Sequence, residues 1–175
     1  MSRLTTMSPA AIAALFSPDS QSSLVTLLTI YDPNDDNTVL IRIADNYTQR
    51  LDDAATTADI LYGINSRRND FYFLPMSITL PSEEPNAAPR CSITLDDVTK
   101  QVVPIIRQIS GPPRVKIELV LNSSPNTVEA SFDKFYLSSI TYNANQVNAE
   151  LSMIDYAVEP FPAYSFTPKY FPGLF

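Results

Sequence analysis

The stretch Arg114-Val-Lys-Ile-Glu-Leu-Val-Leu-Asn122 places apolar residues at every second position: Val115, Ile117, Leu119 and Leu121. A period of two puts all four on one face of a β-strand, whereas a helix would scatter them round its axis. The same alternation recurs at Cys91, Ile93 and Leu95, and again at Val147, Ala149, Leu151 and Met153. A chain with this repeated pattern is predicted to be β-rich, each strand turning one side to a core.

Further strands follow from β-branched runs between turn clusters. Ser23–Asp32 and Thr38–Tyr47 flank Pro33-Asn-Asp-Asp-Asn37 and read as a hairpin. Phe71–Leu80 is predicted as one strand with Met76, Ile78 and Leu80 on one face. Its Pro75 cannot donate to a ladder and favours an edge or a bulge. In Val128–Tyr142 the apolar parity shifts from Phe135 and Leu137 to Ile140 and Tyr142, which predicts a bulge at Ser138-Ser139. Residues 48–70 are polar and irregular and read as a long loop with one short strand around Ile60–Ile64.

Two helices are expected. Ser8 suits an N-cap and Pro9 the first helical position, with Ile12, Leu15 and Phe16 sharing a face. A second helix over 97–109, capped by Asp96 or Asp97, carries a stripe of Val98, Val102, Ile105, Ile106 and Ile109, with a bend near Lys100–Val103 imposed by Pro104. The expected fold is mainly β: a β-sandwich or partly closed barrel with one flanking α-helix (97–109), a short N-terminal helix and an extended C-terminal arm. A chain of 175 residues is one domain by default and buries about 70% of its unfolded surface. We divide it into a β-rich domain over 1–158 and an arm over 159–175.

The arm, Glu159-Pro-Phe-Pro-Ala-Tyr-Ser-Phe-Thr-Pro-Lys-Tyr-Phe-Pro-Gly-Leu-Phe175, has four prolines and six aromatics in seventeen residues. Proline fixes φ and removes a donor, so the arm is predicted to run extended, near polyproline II. Its aromatic content is far above that of ordinary disordered tails, so it is expected to dock. Phe161, Tyr164, Phe166, Tyr170, Phe171 and Phe175 are the expected anchors.

Composition narrows the chemistry. The chain has no histidine, which excludes Ser-His-Asp and Cys-His catalysis and His-containing zinc sites. Its three glycines are isolated and build no phosphate loop. Net charge is −7, and the only adjacent basic pair is Arg67-Arg68, which argues against a nucleic-acid partner. Cys91 is the single cysteine and reads as a buried core thiol in a chain made in a reducing cytoplasm. The opening Met1-Ser-Arg-Leu-Thr-Thr does not read as a signal peptide, and no apolar run is long enough for a membrane helix.

Asp32–Asn37 superficially suggests a calcium loop, but Asn37 and Ile43 stand where Gly and Glu are needed, so a plain turn is expected. The pairs Asp52-Asp53, Glu83-Glu84 and Asp96-Asp97 sit in loops or at a cap and read as solvated acids rather than a glycosidase pair. We expect no catalytic residue, no cofactor and no metal. Arg67 and Arg68 can meet an anionic partner or form salt bridges, and Tyr62, Tyr72 and Phe71 can form an aromatic patch or a core edge.

Four stretches in order carry a resemblance: Phe71…Pro75-Met-Ser-Ile-Thr-Leu-Pro81, Leu119-Val-Leu-Asn-Ser-Ser-Pro-Asn-Thr-Val-Glu129, Glu159-Pro-Phe-Pro162 and Phe171-Pro-Gly-Leu-Phe175. Together they resemble a family of tailed-bacteriophage minor tail proteins, of the distal-tail or tail-tube kind. The resemblance covers roughly residues 70–175. It implies a structural virion protein at the tail tip of a long-tailed phage, beside tail-tube, tape-measure and hub proteins. It also implies a β-sandwich with a flanking helix that assembles as a ring, expected to be sixfold, with the 48–70 loop touching the next ring.

As polyproline II the arm would reach about 50 Å, well beyond a domain radius of gyration of about 16 Å. It can therefore lie on a neighbouring subunit, and head-to-tail contacts of that kind close rings. The assembly interface is expected to include the six arm aromatics together with Arg67 and Arg68. The alternative is a tail-tip module that binds a host-surface glycan or protein through the 48–70 loop and its aromatics.

Overall fold

The structure, a computed structural model, describes residues 7–17, 22–51, 61–80, 90–96, 111–143, 146–153 and 173. Within them lie one helix, α1 (Pro9–Phe16), and the strands β1 (Leu24–Asp32), β2 (Asp35–Ala44), β3 (Gln49–Arg50), β4 (Tyr62–Ser66) and β5 (Asn69–Phe73). The remaining strands are β6 (Met76–Thr79), β7 (Arg90–Leu95), β8 (Arg114–Leu121), β9 (Ser124–Tyr142) and β10 (Val147–Ser152). The protein is mainly β. All ten strands form one sheet in the order β3-β4-β5-β2-β1-β8-β9-β10-β7-β6, and the sheet does not close. Every neighbouring pair is antiparallel except β2 and β5, which run parallel with Ile43 beside Tyr72 and Ala44 beside Phe73.

The centre of the sheet is buried on both faces. In β1, Leu28 and Ile30 point into the larger core, while Val25 and Leu27 point into a second core on the other side. The run Leu24-Val-Thr-Leu-Leu-Thr-Ile30 is accordingly near-continuous in apolar residues rather than alternating. The larger core joins Ile43 of β2 to Cys91 and Ile93 of β7, five strands along the order. Phe73 and Met76, three positions apart, end and begin the third and tenth strands of the order, so the sheet coils on itself. The second core unites Val25, Ala44, Ile64, Phe71 and Val120, because the β4–β5 hairpin folds back over that face.

The expected inward residues of β7, β8 and β10 are in place, Cys91 among them. In β8, however, Glu118 and Val120 are buried as well as the alternating set, since the second core covers the other face. The bulge expected at Ser138-Ser139 is present: Glu150 pairs Ser139 and Leu151 pairs Leu137, which leaves Ser138 as the extra residue. Its hydroxyl donates to the Glu150 carbonyl at 2.9 Å.

Two readings are corrected. The single strand over Phe71–Leu80 is two strands, third and tenth in the sheet, divided at Leu74-Pro75. The Leu74 N–H donates to the Ala44 carbonyl at 3.0 Å, and the Asp96 N–H to the Pro75 carbonyl at 2.9 Å. Proline has no N–H to continue the first ladder, so its carbonyl starts pairing on the other side. The described parts of the loop expected over 48–70, residues 48–51 and 61–70, hold β3, β4, a two-residue turn and the start of β5, while 52–60 lie outside the described residues. Gly63 is required there, since a Cβ would collide with the Phe71 carbonyl oxygen and press on Leu51.

Helix α1 begins where expected, with Ser8 extended and its hydroxyl accepting from the Ala11 N–H at 3.1 Å. Its buried residue is Ala11, whereas Leu15 and Phe16, expected on the packed face, are exposed. The reason is the anchor. Glu129 of β9 accepts from the Ser8 N–H at 2.7 Å and from its hydroxyl at 2.8 Å. Glu129 is the extra residue of a second bulge, between the pairs Leu119–Ala130 and Val120–Val128. That bond sets how the helix lies, and it turns the helix's last turn outward. The helix expected over 97–109 lies outside the described residues.

Candidate functional site

Arg67 and Arg68 form the turn of the β4–β5 hairpin, with φ of 50° and 66°. Positive φ at both central residues is the mark of a type I′ turn, which usually takes Asn and Gly. In L-residues it costs about 1–2 kcal/mol each, so the surroundings must hold it. Ser66 Oγ donates to the Pro125 carbonyl at 2.6 Å, and the Arg67 N–H donates to Asn126 Oδ1 at 2.6 Å. The Arg67 guanidinium donates to both Glu118 carboxylate oxygens, at 3.0 and 2.6 Å. Turn 67–68 is thus pinned to the β8–β9 end.

Glu118 is a buried carboxylate with two cationic partners. Lys116 Nζ lies 3.0 Å from it and 3.5 Å from Asp133. Burial pushes the Glu118 carboxyl up, but the hydrogen bonds from Arg67 and Lys116 outweigh it and hold the carboxyl below its ordinary value. The hydrogen bond to Glu118 raises Arg67, against the opposing effect of burial. For Lys116, burial acts downward and the Glu118 bond upward, and the balance is raised. All three groups are charged at neutral pH. The arrangement is a clamp, and its guanidinium is engaged within the chain.

An aromatic cluster stands at the other end of the β4–β5 layer. The ring centroids of Tyr47 and Tyr62 are 5.1 Å apart at 48°, and those of Tyr47 and Phe73 are 5.0 Å apart at 65°. The bend after β2 places Tyr47 there. Asp45 Oδ1 accepts from the Thr26 N–H at 2.8 Å, Asn46 Oδ1 accepts from the Tyr47 N–H at 2.8 Å, and the Thr48 N–H reaches the Gly63 carbonyl at 2.9 Å. Burial raises the Asp45 carboxyl, and the Thr26 bond opposes it. Tyr47 is 49% exposed and Tyr62 44%, so this well-held corner of rings faces solvent. Such a corner suits flat or ring-shaped apolar groups.

Two clefts, of about 450 and about 410 Å3, share Ser138 and Ser139 at the β9 bulge. One is lined by hydroxyls with Arg90 and Glu150; the other by Pro112, Pro113, Leu137 and Ile140. The Cys91 thiol under the first is pushed up to about 11 by burial, so it stays protonated at neutral pH. The Asp32–Asn37 segment is an ordinary turn. Asp32 Oδ1 caps the Asn34 N–H at 2.7 Å, and Asp35 accepts from the Asn37 N–H at 3.0 Å and from Thr38 Oγ1 at 2.7 Å. Among the described residues no group of three or more acidic, Cys or His side chains is placed to hold a metal.

Of the residues singled out in the sequence, Arg67 and Arg68 share one turn, Phe71 is core, and Tyr62 and Tyr72 are exposed. Phe71 and Tyr72 alternate along β5, so they do not form one patch with Tyr62; Tyr47 and Phe73 take that place. The signal for Tyr47 was the Asp45-Asn46 pair before it, a bend former. Phe161, Tyr164, Phe166, Tyr170, Phe171 and Phe175, like Asp52-Asp53, Glu83-Glu84 and Asp97, lie outside the described residues. Among the described residues no helix is long and apolar enough to cross a membrane. No protein-family model matches the chain, and no curated protein matches it.

Proposed function

We propose that this chain is a structural subunit of the tail tip of a long-tailed phage, where copies assemble head to tail into a sixfold ring. In this reading its partners are further copies of itself and the tail-tube, tape-measure and hub proteins, its place is the virion, and its role is non-catalytic. One observation carries the reading: large apolar side chains are held outward on elements that are themselves fixed. Phe16 is 73% exposed on a helix tied to the sheet through Ser8 and Glu129. Tyr47 and Tyr62 are half-exposed at a separate, hydrogen-bonded corner. Two different fixed patches suit a heterologous contact, in which one surface meets another, and such contacts close into rings. The four sequence stretches between Phe71 and Phe175 that resemble tail proteins supply the setting.

Light scattering and electron microscopy of the full chain test this. A closed ring of six copies is the expected result. A chain that stays monomeric at high concentration, with or without its tail neighbours, overturns it. Binding of host-surface glycans by a monomer would favour a recognition module instead.

A further inference from the structure

The aromatic corner of Tyr47, Tyr62 and Phe73 has a partner in the chain's own sequence. Its rings meet at 48° and 65°, and the two tyrosines are half-exposed, so the cluster offers ring faces and edges to solvent. Exposed tyrosine clusters of this kind accept prolines presented on an extended backbone, because the pyrrolidine ring stacks on the aromatic face and the ordering entropy is already low. The segment 159–175 has Pro160, Pro162, Pro168 and Pro172, each next to or near an aromatic.

In sequence that segment follows β10, whose last residue, Ser152, pairs with Arg90 at the beginning of β7. The other end of β10, Val147, pairs with Leu95, which pairs in turn with Met76, three residues after Phe73. The aromatic corner therefore lies toward the Val147 end of β10, and the last described residues of that strand, Ser152 and Met153, lie toward the other end. A donor at one end and an acceptor at the other form the two halves of a head-to-tail contact.

We propose that the exposed aromatic cluster of Tyr47, Tyr62 and Phe73 is the docking site for the proline-rich C-terminal arm of a second copy of this chain. The proposal rests on the ring reading above and gives it a specific bond. The arm threads from the Ser152 end of one subunit onto the aromatic corner of the next. Its prolines stack on the two tyrosines, and in extended form it reaches about 50 Å, far enough to leave its own subunit.

The test uses the full chain with a photo-reactive benzoyl-phenylalanine in place of Phe166. Copies with heavy and ordinary isotopes are mixed, irradiated and mapped by mass spectrometry, with light scattering on the same samples. Cross-links joining a heavy to an ordinary copy, at the peptides that carry Tyr47 or Tyr62, are the expected result. Tyr47→Ala with Tyr62→Ala is expected to remove those cross-links and to weaken self-association by about tenfold or more, with an unchanged circular dichroism spectrum. Cross-links at the corner only within one copy overturn exchange between copies. Rings whose cross-links fall elsewhere overturn the docking site and leave the ring reading standing. A monomer at high concentration overturns both, and saccharide binding at the corner with no arm cross-link there overturns the occupant.

Discussion

Arg67 and Glu118, fifty-one positions apart, join as a bidentate ion pair with contacts of 3.0 and 2.6 Å. The Glu118 side chain is 5% exposed and the Arg67 side chain 39%, so one partner is sealed in the sheet while the other closes over it from the surface. The pair fastens the β4–β5 hairpin to β8 and keeps Arg67 in a left-handed conformation that an arginine does not adopt by itself.

Replacing Glu118 by Gln is expected to destabilise the fold by about 2 kcal/mol. The amide keeps one acceptor, points an NH2 at two cations, and takes the carboxylate partner from Arg67, while Lys116 keeps Asp133 at 3.5 Å. Loss of a fully buried pair costs about 3–5 kcal/mol, and the half-exposed guanidinium lowers that figure because water takes over part of its solvation. Urea unfolding measures it. A midpoint equal to the parent's would mean that the pair holds nothing.

Acid should loosen the same clamp. The Glu118 carboxyl is held below its ordinary value of 4.5, so its contribution is complete above that pH and is lost as pH falls through the lowered folded value. Arg67 stays charged throughout. Asp45 acts with the opposite sign: burial raises its carboxyl, so its protonation favours the fold as pH falls. Unfolding midpoints followed from about pH 7 to about pH 3 should drop more steeply for the parent than for the Glu118→Gln variant. Parallel curves would contradict this.

The two turn arginines should respond oppositely to glycine. Arg68 has φ of 66°, and Arg68→Gly is expected to stabilise by about 0.5 kcal/mol, the relief of a left-handed side chain less the added freedom of the unfolded chain. Arg67→Gly relieves a similar strain but removes the partner of Glu118, and should destabilise. Thermal unfolding of the two variants decides it. Two changes of the same sign would show that turn strain and clamp are not separable in this way.

Much of the fold was legible where a single local rule governs. Cys91, Ile93 and Leu95 alternate because β7 faces one core, and they are buried as their spacing predicts. The parity shift at Ser138-Ser139 announced its bulge because an extra residue reverses every later side chain. The Ser8-Pro9 start of α1 was equally plain. The Arg67-Arg68 turn was not, since neither residue favours positive φ; Glu118 and Asn126, distant in sequence, impose it. Tyr47 likewise gained its place from Phe73 and Tyr62.

By itself the sequence determined the mainly β class, most strand positions, the first helix and its cap, and the burial of Cys91. These depend on side-chain period and on residues within a few positions of each other. Only the tertiary structure decided that Phe71–Leu80 divides at Pro75 between two distant places in the sheet. It also decided that Glu118 is buried beside Arg67, and that Leu15 and Phe16 of α1 face outward. Coiling of the sheet chooses which residues meet across fifty or a hundred positions, and no local pattern encodes that choice. The aromatic corner of Tyr47, Tyr62 and Phe73 arises in the same way, from three separate segments brought to one end of the sheet.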